Sequence, residues 1–94
     1  MTYAVIHHFA GATKEQYDAS IAAVHPDGLP PGHLTLAAGP SEGGWNVIAT
    51  LESKEHWETF RDAVLMPQMQ AGIPGGFTTP PTETGFEVMR EMTG

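Results

Sequence analysis

Two strand-forming segments of the chain are apolar on both of their faces, and this feature restricts the possible folds strongly. Residues 3–9 (YAVIHHF) and 45–51 (WNVIATL) are rich in β-branched and aromatic residues, which predicts strands. Successive side chains of a strand point to opposite faces, so each segment places apolar residues on both sides of its sheet. An antiparallel sheet with one wet face would instead alternate apolar and polar residues. The pattern therefore predicts a sheet that is covered on both faces.

The remaining segments predict the order β-α-β-β-α-β. Strands are predicted over residues 2–9, 33–38, 45–51 and 84–89. Thr13 begins the first predicted helix, which ends at His25, and Ser53 begins the second, which Pro67 interrupts or kinks. This order is typical of the ferredoxin-like α+β arrangement, in which two helices cover one face of a four-stranded antiparallel sheet.

The second sheet face then needs a partner, and a second copy of the same chain is the simplest one. A chain of 94 residues suits one domain, predicted here over residues 1–94. A domain of this size buries a thin core, and oligomerisation is a common remedy. We therefore expect a homodimer.

The charge balance and the absence of cysteine exclude several classes of function. The net charge is −7 and only four residues are Lys or Arg, so neither nucleic acid nor an anionic membrane is an expected partner. Without cysteine there is no disulfide, zinc–thiolate site or thiol catalysis. The first strand starts near Met1, no signal peptide is apparent, and no apolar run is long enough to span a membrane. A soluble cytoplasmic protein is expected.

One long segment resembles a known superfamily. The stretch GGWNVIATLESKEHWETF runs from the third strand into the second helix, and AGPSEGGW (residues 38–45) precedes it. Together with the element order, these segments resemble the dimeric α/β-barrel superfamily, including small members akin to antibiotic biosynthesis monooxygenases. The resemblance implies two sheets that face each other in a dimer, and a cavity between sheet and helices or within the barrel. It leaves the chemistry open, because this superfamily hosts many reactions.

The adjacent histidines of the first strand are candidates for chemistry. Strand alternation sends His7 and His8 to opposite faces, so they cannot bind one metal ion side by side. His7 shares the bulkier face, and we predict that it is the catalytic residue of the cavity, where it would move a proton or orient a substrate oxygen. A purely structural role as a hydrogen-bonded core or interface histidine remains open, and a register error of one residue would exchange His7 and His8.

Further residues are predicted to bind the ligand, because they are aromatic, flexible and apolar, or polar at a strand position: Tyr3, Phe9, His33, Trp45, Asn46, Met66 and Met69. Glu83 and Glu87 lie on or near the last predicted strand. Glu87 alternates with Phe86 and Val88, so its carboxylate would serve as a general base if it faced a pocket, and as a solvated edge residue otherwise. The Gly/Pro-rich loop 73–81 is long for such a small domain and is a candidate lid or an arm to a partner.

No metal site and no cofactor are predicted. The chain lacks HxH, HExxH and any histidine–carboxylate cluster with firm spacing. Haem-degrading members of the superfamily carry a tryptophan in the second helix and a haem-ligating histidine ten residues later. Phe60 and Gln70 occupy those places here, so haem degradation is not expected, although His7 as an unconventional ligand stays open.

Three functions remain open from the sequence. The first is binding of a small hydrophobic or aromatic molecule, with metal-free catalysis by His7 where there is any reaction. The second is a cofactor-independent monooxygenase of the antibiotic-biosynthesis type, whose electron-rich substrate itself activates oxygen. The third is a non-catalytic, stress-related or regulatory dimer in which the histidines only pack.

Overall fold

The computed structural model describes residues 2–93 and contains one four-stranded antiparallel sheet. The strands lie in the spatial order β2-β3-β1-β4, so β2 and β4 form the edges. Their bounds are β1 (Tyr3–Ala10), β2 (His33–Ser41), β3 (Gly44–Leu51) and β4 (Thr82–Glu87). The helices lie between β1 and β2 and between β3 and β4, which confirms the predicted β-α-β-β-α-β order and the ferredoxin-like fold.

The first helix, α1 (Lys14–Val24), begins as the sequence predicts. Thr13 accepts a hydrogen bond from the Gln16 backbone at 3.3 Å, and the Gln16 side chain accepts one from the Thr13 backbone at 3.0 Å. This reciprocal capping box satisfies two backbone donors that the first helical turn leaves without partners. The helix ends before His25, because Pro26 disfavours helical backbone in the residue that precedes it.

The second helical segment continues through Pro67 and does not stop there. It consists of α2 (Lys54–Phe60), a π-helical turn (Arg61–Leu65) and α3 (Met66–Ala71). The predicted interruption by Pro67 is therefore a π turn just upstream, in which the Met66 backbone donates to the Arg61 carbonyl five residues earlier. The wider turn precedes a residue that has no N–H to donate, so the helix tolerates proline at little cost.

Two strands differ from their predicted bounds by two or more residues. β2 continues past Gly39 and Pro40 to Ser41, because an edge strand tolerates a residue that cannot donate a ladder hydrogen bond. β4 begins at Thr82, two residues before its predicted start, and ends at Glu87. The earlier start matters for function, because it pairs Glu83 with His7.

The core lies on the sheet face that the helices cover. It is centred on Val5 and Leu51, which are 1% and 0% exposed, and Trp57 of α2 packs on them. The other face carries apolar side chains as predicted, among them Ile48 and Phe86, which are 45% and 47% exposed in the single chain. Among residues 2–93, no helix is both long enough and apolar enough to cross a membrane.

Candidate functional site

A cavity of about 360 Å³ lies between the covered sheet face and the helices. This volume is within the range of pockets that hold small organic molecules. The sheet contributes Val5, His7, Phe9, Val47, Ala49 and Glu83. The helical segments contribute Tyr17, Ser20, Ile21, Val24, Trp57, Phe60, Arg61, Leu65, Met66 and Met69. The lining is mostly apolar, so its few polar atoms determine which chemistry is possible there.

His7 is the polar side chain on the central strand of the cavity wall. It lies opposite Val47 in the sheet, and its ring centroid is 5.2 Å from that of Trp57 and 6.3 Å from that of Phe9. His8 points to the opposite sheet face, where its Nδ1 is 2.8 Å from Oδ1 of Asn46. Strand alternation thus separates the two adjacent histidines, and only His7 reaches the cavity.

Glu83 pairs with His7 across the β1–β4 edge of the sheet. His7 Nε2 and Glu83 Oε1 are 2.8 Å apart, and the two side chains are 10% and 40% exposed. An ionised carboxylate can only accept a hydrogen bond, so in the neutral form of His7 the proton lies on Nε2 and Nδ1 has a free lone pair. Among residues 2–93, Nδ1 of His7 has no hydrogen-bond partner and is not one of the fully enclosed polar atoms. Nδ1 is therefore not enclosed by protein atoms, and His7 is one of the residues that line the cavity.

The sequence did not single out Glu83 over Glu87. Both lie on the same face of β4, but Glu83 is opposite His7 in the sheet and Glu87 is opposite Tyr3. The two carboxylates are distinguished by the register of β4 against β1. Because these strands lie near opposite ends of the sequence, no local sequence pattern indicates that register. The 84–89 prediction for β4 placed Glu83 outside the strand.

The structure brings together some of the predicted ligand-binding residues and leaves others apart. Phe9, His33, Met66 and Met69 line the cavity with His7. The lining residues do not include Tyr3, Trp45 or Asn46.

Each of these three has another environment. Tyr3 belongs to the core, with its hydroxyl over Gly85. The Trp45 ring packs on Tyr17 with a centroid distance of 5.4 Å. Asn46 is on the far face with His8, because it alternates with Trp45 along β3.

The loop 73–81 folds over the cavity of its own chain. The Phe77 ring stacks on Phe9 with centroids 3.7 Å apart, and the Phe77 backbone donates to Ser20 Oγ at 3.1 Å. Tyr17 lies beside this stack, and burial raises the pKa of its phenol. The aromatic rings at this end provide a flat apolar surface that suits a planar ligand.

A second group of rings lies elsewhere in the cavity wall. The His25 ring is stacked on Phe60 at 5.0 Å, and the His33 ring meets Phe60 edge-on at 4.7 Å. Burial lowers the pKa of both histidines, and for His33 the neighbouring His25 and His56 lower it further. Both rings are therefore neutral near pH 7. In the described part of the chain, no three His, Asp or Glu residues are grouped so that they could hold a metal ion.

Comparisons with solved structures support the fold. No protein-family model matches the chain, and no curated protein matches it in sequence. The structure of Rv0793 from Mycobacterium tuberculosis superposes with a TM-score of 0.70 at 18% identity, over 99% of this chain and 100% of that one. A "putative antibiotic biosynthesis monooxygenase" from Bordetella bronchiseptica superposes with a TM-score of 0.66 at 16% identity, over 95% and 98% of the two chains.

A third solved structure carries a ligand. The monooxygenase from the gene ActVA-Orf6 of Streptomyces coelicolor, in complex with nanaomycin D, superposes with a TM-score of 0.59 at 18% identity, over 99% of this chain and 91% of that one. These likenesses establish the ferredoxin-like fold that the strand order shows. This is the fold that the resemblance in the sequence implies.

Proposed function

We propose that the protein binds a small aromatic, oxygen-bearing molecule in the cavity and that His7 acts on it as a general base. The observation that carries this proposal is the hydrogen bond between His7 Nε2 and Glu83 Oε1 in the wall of a mostly apolar cavity. It leaves a lone pair on Nδ1 that is available to a ligand hydroxyl or an acidic C–H group.

Glu83 has a defined part in this proposal. Proton uptake at Nδ1 makes His7 an imidazolium, and the carboxylate at 2.8 Å stabilises that charge. Since Glu83 is 40% exposed and His7 only 10%, the carboxylate also links the buried ring to solvent, where the proton can leave. General base catalysis of this kind contributes roughly 10²–10⁴-fold to a rate.

The narrower proposal is a cofactor-independent monooxygenase. Deprotonation turns an electron-rich aromatic CH₂ or phenol into an anion that can reduce oxygen directly. For a CH₂ group the overall reaction is R₂CH₂ + O₂ → R₂C=O + H₂O, in which the substrate carbon is oxidised and O₂ is reduced. The monooxygenases with similar folds support this version, including the Streptomyces coelicolor protein in complex with nanaomycin D.

The proposed assembly is a homodimer that buries the open sheet face. Ile6 and Ile48 are paired neighbours at the centre of this face, and Phe86 extends the apolar surface onto β4. The exposed Ile48 on an inner strand and the exposed Phe86 on the edge strand β4 favour a second copy as their cover.

The direct test compares His7→Gln with His8→Gln, its neighbour on the opposite face. Binding of anthrone under nitrogen is followed by quenching of tryptophan fluorescence, because the Trp57 ring adjoins His7. Oxygen consumption is then measured in air. We expect His7→Gln to lose at least about 10²-fold in oxygen uptake and His8→Gln to retain it.

Each other outcome has a defined meaning. Binding without oxygen uptake in the wild type would support the non-catalytic dimer. Absence of binding to any aromatic probe would refute the cavity proposal. Equal losses in both variants would show that His7 has no special role.

A further inference from the structure

The His25–His33–Phe60 ring group lies far from His7 within the same cavity. His33 is opposite Leu51 on β3, which is opposite Tyr3 on β1. Tyr3 precedes His7 by four residues, so His33 is separated from His7 by roughly 13 Å along the strands and about 9.5 Å across them. A ligand that spans the cavity would therefore meet a different polar group at each end.

The two ring nitrogens of each histidine have different environments. Nδ1 of His25 and Nδ1 of His33 are enclosed and have no hydrogen-bond partner. The Nε2 atoms are not among the enclosed ones, and within residues 2–93 no hydrogen bond engages them. An enclosed N–H without an acceptor costs more free energy than an enclosed lone pair. The greater rarity of unpaired buried donors in proteins reflects this difference. The favoured tautomer thus carries its proton on the accessible Nε2.

These constraints define what the ring group can bind. Protonation would place an enclosed donor without a partner on Nδ1, so both rings stay neutral, in agreement with the pKa values that burial lowers. The cationic side chain in the cavity wall, Arg61, is already paired with Asp62 at 2.9 Å. Among the described residues that line the cavity, a carboxylate or phosphate would have to compete with Asp62 for Arg61. A neutral acceptor oxygen needs no such charge and suits the N–H donors of His25 and His33, two of the residues that line the cavity.

We propose that Nε2–H of His25 and of His33 form a subsite for the carbonyl oxygen of a neutral aromatic ketone or quinone. This inference rests on the proposed function, since it assumes that the cavity holds the ligand, and it adds the orientation of that ligand. In a ligand long enough to span the cavity, the carbonyl lies at His25 and His33 and the acidic C–H or O–H group lies at His7, whereas anthrone is shorter than this separation and tests the carbonyl end alone. Phe60, against which both histidines pack, holds their rings in place.

The test uses two probes of nearly the same shape. Anthrone carries one carbonyl, and 9,10-dihydroanthracene has a CH₂ group in its place. Dissociation constants are measured under nitrogen by tryptophan quenching for the wild type, His25→Leu, His33→Leu and the opposite-face control His8→Leu. One neutral hydrogen bond corresponds to a factor of roughly 2–13 in affinity. We expect the wild type and His8→Leu to bind anthrone more tightly than dihydroanthracene by about that factor. We expect His25→Leu and His33→Leu to reduce this preference without weakening the binding of dihydroanthracene.

The outcomes separate this subsite from the cavity proposal. Equal affinity of the wild type for both probes, or equal weakening of both probes by the leucine variants, would overturn the subsite and leave the cavity intact. Binding of neither probe would overturn both proposals. If a leucine variant does not fold by circular dichroism, His25→Gln and His33→Gln keep an N–H donor and should retain part of the anthrone preference. Loss of that preference in folded glutamine variants would contradict the proposal.

Discussion

At the scale of single residues, the pairing of His7 with Glu83 separates the proposed base from the other four histidines. Each of the others has a different environment: His8 faces away from the cavity, His25 and His33 pack on Phe60, and His56 lies beside Ser53 at the start of α2. Only His7 combines a cavity position with a carboxylate that fixes its tautomer.

Replacement of Glu83 tests that combination. Glu83→Gln preserves the size of the side chain and an oxygen that can accept from His7 Nε2, but it removes the negative charge that stabilises the imidazolium. We expect kcat for oxygen uptake to fall roughly 10²-fold while KM changes little, because the charge matters after proton transfer. Glu87→Gln on the same strand face is the matched control and should keep the wild-type kcat. Similar kcat values for the two variants would contradict the role of Glu83.

The sequence predicts one side of this pair and not the other. Alternation along β1 and β3 places His7, Phe9 and Val47 on one face, because the side-chain period of a strand is two residues. Glu83 depends on the register between β1 and β4, which the tertiary structure sets. Asn46 and Trp45 were also predicted from their strand positions, and neither lines the cavity. The position of a residue in a strand therefore does not by itself identify the side chains that line a cavity.

At the scale of secondary structure elements, the caps were predictable and the interruptions were not. Thr13 and Ser53 accept hydrogen bonds from backbone groups three residues on, as their local sequence predicts. The π turn before Pro67 and the continuation of β2 through Pro40 depend on what surrounds each proline. In both places the missing proline N–H is accommodated, by a wider helical turn or by an edge position.

The junction of α1 with β2 contains a pH-sensitive contact. His25 caps the C-terminus of α1, where the helix dipole favours a protonated histidine, but burial dominates and lowers the pKa of both His25 and His33 from 6.5. The unfolded chain therefore takes up protons at a higher pH than the folded chain. The contact therefore contributes its full stabilisation of the fold above about pH 6.5. This contribution is lost as the pH falls from there through the lowered pKa values of the two histidines.

Urea unfolding between pH 7.5 and 5 measures this effect. We expect the unfolding midpoint of the wild type to decrease over this interval. A His25→Leu/His33→Leu double variant should show a smaller decrease, because it lacks the two groups whose protonation the fold opposes. The two proteins share every other titratable group, so the difference between the curves belongs to His25 and His33. Identical pH dependence of the midpoints would show that these two rings do not contribute.

At the scale of the whole molecule, one face of the sheet lines the cavity and the other exposes apolar side chains. The helices and loop 73–81 enclose the cavity on one face. On the other face, Ile48 and Phe86 are exposed in the single chain, and His8 pairs with Asn46. Ile48 lies on an inner strand, where an exposed isoleucine gains most from a partner sheet.

A charge at the centre of the open face tests the proposed homodimer. Ile48→Glu places a carboxylate where the two copies would meet, and the symmetry of a dimer brings two such charges into one interface. Each uncompensated buried charge costs several kcal/mol, so we expect the dissociation constant to rise by at least about 10²-fold. Ala22→Glu introduces the same charge on the exposed side of α1 and should leave the mass at twice that of the chain. Native mass spectrometry over a concentration series distinguishes the variants. A wild type that remains monomeric, or an Ile48→Glu variant that dimerises as tightly as Ala22→Glu, would mean that the open face is covered in some other way.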